Sequence, residues 1–495
     1  MKRKRLIGYA AAVCLLTLTV LTAMPVQAAE KQAVLAIITD ENTETTFDDF
    51  ESGWTSILKQ ADASKDEVYV KLQTDWIASE NGFGSQSPAF ENGMICLHDN
   101  QKIKLDLSGH IIDRKRTSFI DDGGIFYLHD SSSLSIVDSC PDAVHSDSDL
   151  HGGILRGGAS GDTGGAIHVS DSASLQISDI SIVGCMSQYH GGAIAAFTEN
   201  SITLQNVGFY TNITRDSFDP CYGGAIYLDN GADAYITHCA FEGNDSEDSG
   251  GALFIEEGSA DIRDCSFYGN HATDNGGAIY AASDTEAFNL SQTLLLDNHA
   301  DDYGGAIYTD TDCDIRVAEN TFTRNECGES GGAIYVNDGL TVLVGGSISA
   351  NSADGYGGGV YVNSRTDVGV QGDLVIQENL ANGQKSNLCL QDGIASTARI
   401  INGGLYEGAS IYLSTTSGGE VRTAKDISMI QAMSFLHADN GSLNSKNTYQ
   451  KAEKFYGSVI GNGNLLCVIA ASLSLLLLAV IVFIIVKRRG KHEKS

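Results

Sequence analysis

The sequence predicts an all-β solenoid: a right-handed, single-stranded parallel β-helix, capped at its N-terminal end by a short amphipathic helix and followed by a C-terminal transmembrane helix. Three observations carry that prediction. A glycine pair followed by small apolar residues begins at Gly164, Gly191, Gly223, Gly250, Gly276, Gly304, Gly331 and Gly357, at intervals of 27, 32, 27, 26, 28, 27 and 26 residues. An asparagine keeps the same beat, at Asn212, Asn244, Asn270, Asn298, Asn325, Asn351 and Asn379. Inside the repeat no window shows a sustained helical period, and the leucine spacing of leucine-rich repeats is missing, so the other common solenoids are excluded.

Residues 250–275 illustrate what one repeat builds. Ala252-Leu253-Phe254-Ile255 reads as a short apolar strand and Glu256-Glu257-Gly258-Ser259 as a turn. Ala260 to Phe267 largely alternates, the pattern of one half-buried strand. Gly269-Asn270 then opens a polar stretch that runs to the next glycine pair. Coils stack at about 4.8 Å, so each residue meets its own copy above and below. That contact accounts for Gly223 and Gly224, Gly276 and Gly277, Gly304 and Gly305, and Gly331 and Gly332, which open the full Gly-Gly-Ala-Ile-Tyr motif. A tight turn there needs small residues tolerant of positive φ. The repeating asparagines each follow an apolar residue by three positions: Phe209, Phe241, Phe267, Leu295, Phe322, Ile348 and Ile376. They are expected to point inward and to bond from coil to coil as a ladder, with the apolar residues stacked beside them. Roughly ten coils would make a rod about 50 Å long. Cys239 and Cys265 occupy one place in successive repeats and are read as a column of small buried side chains rather than a disulfide.

The flanks divide as follows: residues 1–28 a signal peptide, 29–94 an N-terminal cap, 95–425 the repeats, 426–464 a stalk, 465–486 a transmembrane helix and 487–495 a cytoplasmic basic tail. Lys2 to Arg5 are basic, an apolar run follows, and Val26-Gln27-Ala28 fits a cleavage site. Leu465 to Val486 is uncharged and spans about 33 Å as a helix, and Lys487, Arg488, Arg489 and Lys491 place its far end in the cytoplasm. The expected location is therefore the cell membrane, with one crossing and the repeats outside. In the cap, Thr46 and Asp49 suggest a capping box, and Phe47, Phe50, Trp54, Ile57, Leu58 and Ala61 share one helical face. That helix is expected to cover the open end of the coils, with Trp54 packed in it.

The paired motifs Gly-Gly-Ala-Ile and Phe-x-x-Asn resemble those of the polymorphic outer-membrane protein repeat family. Leu105 to Arg114 is similar to the entry coil of bacterial surface right-handed β-helix proteins. The resemblance covers roughly residues 103–413 and implies a surface-displayed, commonly adhesive protein. Members of that family end in an outer-membrane β-barrel, whereas this chain ends in one apolar segment, which puts the family's secretion route in doubt.

The formal net charge is −32, and no lysine occurs between Lys115 and Lys385. Nucleic acid and polyuronates are therefore poor partners. A polygalacturonase-like site finds only fragments in Asp301-Asp302 and His190-Gly191. A lyase base would have to be Arg263, Arg316 or Arg324. Asp310, Asp312 and Asp314 alternate without the glycine and distal glutamate of a calcium loop, and are read as solvated turn carboxylates, with calcium the one cation they would suit. His129, His151, His168 and His190 show no helical zinc spacing. No catalytic, cofactor or metal residue is assigned. The sequence reads as an adhesin or binding and display scaffold for an extracellular protein or neutral glycan. Its alternatives are a polysaccharide-active lyase or hydrolase and a structural surface spacer.

Overall fold

The computed structural model describes residues 32–40, 43–64, 66–78, 90–91, 94–120, 123–146, 149–216, 219–364, 366–391, 397–416 and 435–439. The expected signal peptide, transmembrane helix and basic tail lie outside them, as does most of the expected stalk. Among the described residues no helix is long and apolar enough to cross a membrane.

The chain winds into an all-β right-handed solenoid of about eleven turns. Each regular coil has four faces. In the repeat introduced above these are Leu253–Ile255 (face 1), Gly258–Arg263 (face 2), Ser266–Tyr268 (face 3) and His271–Ala272 (face 4). Each strand pairs in parallel with its copy one coil on, as in Leu253↔Ile279, Ser259↔Ala287, Ser266↔Leu294 and His271↔His299. Two readings of the repeat need correction. Residues 260–267 form two strands, because Asp264 takes a left-handed φ of +52° and turns the chain. The bend shifts the inward set by one residue, from Ala260 and Ile262 to Cys265 and Phe267, all buried. This is why the alternation is imperfect. The polar stretch also contains a strand, the two-residue face 4.

Inward side chains stack as expected. Phe209, Phe241 and Phe267 lie ring on ring at 4.8 and 4.5 Å. The seven asparagines are all buried. Asn270 donates its backbone N–H and its Nδ2 to Oδ1 of Asn298 at 3.0 and 2.9 Å, and Nδ2 also donates to Phe241 O in the previous coil. The same bonds recur from Asn212 to Asn379. The ladder then runs further than the repeat pattern does. Asn379 donates to Asn387 Oδ1, and Asn387 donates to the Asp439 carboxylate at 2.7 and 2.5 Å. The stretch read as stalk thus supplies the final acceptor, and Leu436–Ala438 adds a last strand beside Ile411–Leu413.

The glycine pair divides its labour. Gly276 has a φ of +66°, and a Cβ on Gly277 would sit 2.2 Å from Gly305 O and 2.4 Å from His299 O. The first glycine answers to backbone conformation and the second to the coil above.

At the N-terminal end, β1 (Leu35–Asp40) and β2 (Thr43–Phe47) form an antiparallel hairpin. Helix α1 (Phe50–Ala63) follows, then β3 (Val68–Leu72). Strand β3 pairs antiparallel with β1 and parallel with Lys102–Asp106, so it is already part of face 2 and the coils begin ahead of residue 95. The helix covers the end as expected, with Trp54 fully buried against Phe126. Its cap is Asp49, whose side chain accepts from Ser52 N at 2.9 Å. Thr46 is instead a strand residue opposite Ala36, and Phe47 ends that strand, so neither belongs to the helix.

Candidate functional site

On face 1 the inward positions are the isoleucines of Gly-Gly-Ala-Ile-Tyr and the outward positions are its tyrosines. Register aligns Tyr227, Phe254, Tyr280, Tyr308, Tyr335 and Tyr361 in one outward column. Their ring centroids are 5.8, 4.6, 4.8, 5.1 and 5.0 Å apart. Toward the N-terminus, Ala195 leaves a gap in the column, and Phe197 bridges it between His168 and Tyr227. A second rank comes from the loop before the glycine pair. His190 stacks on Tyr222 and Tyr227, Tyr222 on Phe254, and Tyr303 leans on Tyr335. Column members such as Phe254 and Tyr335 are 3 % and 8 % exposed, so ring faces are spent on one another and only edges and hydroxyls reach the surface. Tyr356, at 47 %, offers most of its ring.

Carboxylates rim this tyrosine track. Burial, reinforced by Asp274, pushes the Asp248 carboxyl up to about 6. Burial also raises Glu256, with Asp229, Asp284 and Glu257 adding to it, and raises Asp274, with Asp302 and Asp301 adding. Burial lowers His190 to about 4, so it is a neutral ring near pH 7. The track therefore presents neutral hydroxyls and aromatic edges between acidic margins.

Face 4 carries a different chemistry. Its outward column reads Asp245, His271, His299 and Glu326 in successive coils. His271 Nδ1 lies 2.6 Å from Asp245 Oδ1, and His271 Nε2 and His299 Nε2 lie 3.3 and 3.1 Å from one oxygen, Asp301 Oδ1. The hydrogen bond to Asp245, helped by Asp301, holds His271 above the ordinary imidazole range against the effect of burial. His129, Asp130 and Asp171 also gather, but His129 meets Asp130 through Nδ1 at 2.9 Å and Cys96 Sγ through Nε2 at 3.2 Å.

The residues weighed for chemistry in the sequence do not converge. Arg263 is clamped by both oxygens of Asp261 at 2.8 and 2.5 Å, and Arg324 by both oxygens of Asp297 at 2.7 Å each. Arg316 is exposed on face 2. Asp310 accepts from Asn337 Nδ2 at 2.8 Å, while the side chains of Asp312 and Asp314 lie outside the described residues. Cys239 and Cys265 are free and buried, as are Cys185, Cys221 and Cys327.

Residues 200–375 match a family model described as a right handed beta helix region. No curated protein and no solved structure matches the chain.

Proposed function

We propose that this protein is a membrane-anchored surface β-helix that binds an extracellular protein or neutral glycan along the tyrosine track. The observation that carries the reading is the continuity of that track: aromatic edges and hydroxyls recur at coil spacing on one face, which suits a long or multivalent ligand. The acidic, lysine-poor coils disfavour nucleic acid and polyuronates. The resemblance to polymorphic outer-membrane repeats favours adhesion. The leader and Leu465–Val486 supply export and retention in this reading.

The test is an array of neutral glycans and extracellular proteins probed with the full-length chain. Binding is expected to weaken in Tyr303→Ala and Tyr356→Ala and to survive Tyr235→Ala, which removes an exposed ring from face 2. Binding indifferent to the two track variants would overturn the assignment of the track, and a chain that binds nothing would leave the spacer reading. A second reading rests on Asp248, whose raised carboxyl beside Tyr222 suits a general acid. Release of shortened sugars, lost in Asp248→Asn, would establish that reading instead.

A further inference from the structure

We propose that His271, His299 and Asp301 form a binding site for a divalent transition-metal ion of the zinc type, with Asp245 as the positioning residue behind His271. The inference is independent of the tyrosine track, which lies on another face.

The geometry is close to what such an ion requires. Zinc bonds to imidazole nitrogen and carboxylate oxygen are about 2.0–2.1 Å long, so neighbouring ligand atoms stand about 2.9 Å apart in an octahedron and about 3.4 Å apart in a tetrahedron. The separations of Asp301 Oδ1 from the two Nε2 atoms, 3.1 and 3.3 Å, fall between those limits. The three ligand atoms all lie within 4.8 Å of one another. The one edge left to close is between the two imidazoles, whose rings are stacked at 5.5 Å with planes 9° apart. Both rings are partly exposed, so they tilt toward a shared ion without disturbing the core.

Asp245 settles which nitrogen of His271 is available. A carboxylate only accepts, so Nδ1 keeps its proton toward Asp245, and Nε2, which donates to Asp301 in the free protein, is the nitrogen that gives up its proton and offers a lone pair when an ion binds. This carboxylate–imidazole arrangement is a common support for metal-bound histidine. Arg215 Nη2 holds the other oxygen of Asp245 at 3.1 Å. The backbone beneath is equally fixed: Asn270 and Asn298, the residues immediately before the two histidines, are rungs of the buried ladder. Two nitrogens and one oxygen suit zinc, nickel or copper better than calcium, which takes six to eight oxygens. Three protein ligands leave the remaining positions to water or to a donor from outside.

The experiment titrates Zn²⁺ into the untagged full-length chain by calorimetry and records the visible spectrum after Co²⁺ is added. One equivalent is expected to bind, with Co²⁺ absorption characteristic of nitrogen and oxygen ligands. His271→Ala, His299→Ala and the milder Asp301→Asn should each lower the affinity at least tenfold, Asp245→Asn by about tenfold or more, and His238→Ala not at all. Circular dichroism confirms that each variant is folded. Zinc binding that survives the His271→Ala/His299→Ala pair, or no binding by the parent chain, would overturn the proposal and leave a hydrogen-bonded histidine–aspartate cluster.

Discussion

Face 3 is bounded by two corners that share a backbone plan and differ in their chemistry. At the corner before it, Asn206, His238, Asp264, Gln292 and Glu319 have φ between +51° and +58°. At the corner after it, Thr211, Gly243, Gly269, Asp297, Arg324, Ala350 and Glu378 have φ between +52° and +62°. A left-handed residue costs roughly 1–2 kcal/mol when it is not glycine. In each case the next residue turns inward, and at most of these positions it receives a bond from the coil before. After face 3 that residue is asparagine in all seven coils; Asn270, for one, accepts two bonds at Oδ1 and donates three through its N–H and Nδ2. Before face 3 it is Val207, Cys239, Cys265, Thr293 or Asn320. There Cys239 N donates to Cys265 Sγ at 3.3 Å, Cys265 N to Thr293 Oγ1 at 3.3 Å and Thr293 N to Asn320 Oδ1 at 2.8 Å. In these three coils the inward side chain accepts one backbone N–H from the coil before. The asparagine corner goes beyond that single bond by also tying side chain to side chain.

The largest effect is therefore expected at the asparagine corner. Asn298→Ala strands the Asn270 N–H and one of the two Nδ2 hydrogens, the other still reaching Phe241 O, and removes the donor to Phe267 O, all of them buried. Unsatisfied buried groups cost about 1–3 kcal/mol each, and a destabilisation of about 3 kcal/mol is expected in urea unfolding of the coils. Thr293→Val, at the other corner, strands only the Cys265 N–H. About 1 kcal/mol is expected from one lost acceptor. Equal midpoint shifts for the two variants would erase the distinction between the corners.

The two corners also differ in how far the sequence discloses them. The asparagine corner is legible because one residue type recurs at one spacing, and the structure places all seven as expected. Its last two rungs are not legible. A short antiparallel hairpin, Leu380–Ala381 with Gln384–Lys385, brings Asn387 into line eight residues after Asn379 and off the beat. Asp439 arrives from a segment with no repeat mark. The left-handed residues escape notice because asparagine, histidine, aspartate, glutamine and glutamate have no shared composition. What they share is a place in the coil. The face 4 cluster escapes for a related reason. Asn-His-Ala stands at residues 270–272 and again at 298–300. A test for helical zinc spacing passes over two histidines 28 residues apart, and only coil register makes them neighbours.

The smallest effect expected is at Cys265, and it discriminates most finely. Cys265 Sγ lies 3.1 Å from Arg263 O and accepts from Cys239 N. In the next coil Thr293 Oγ1 donates to Ser291 O at 2.9 Å and accepts from Cys265 N, the same two bonds one coil later. Cys265→Thr therefore keeps both bonds with a side chain the fold already uses at that place, and a change within about 0.5 kcal/mol is expected. Cys265→Val has nearly the same shape without the acceptor and should cost about 1 kcal/mol. A loss of several kcal/mol in both variants would instead be the signature of a Cys239–Cys265 disulfide, whose removal typically costs about 2–5 kcal/mol. A threonine variant as weak as the valine one would mean that packing, rather than the single accepted bond, governs this corner.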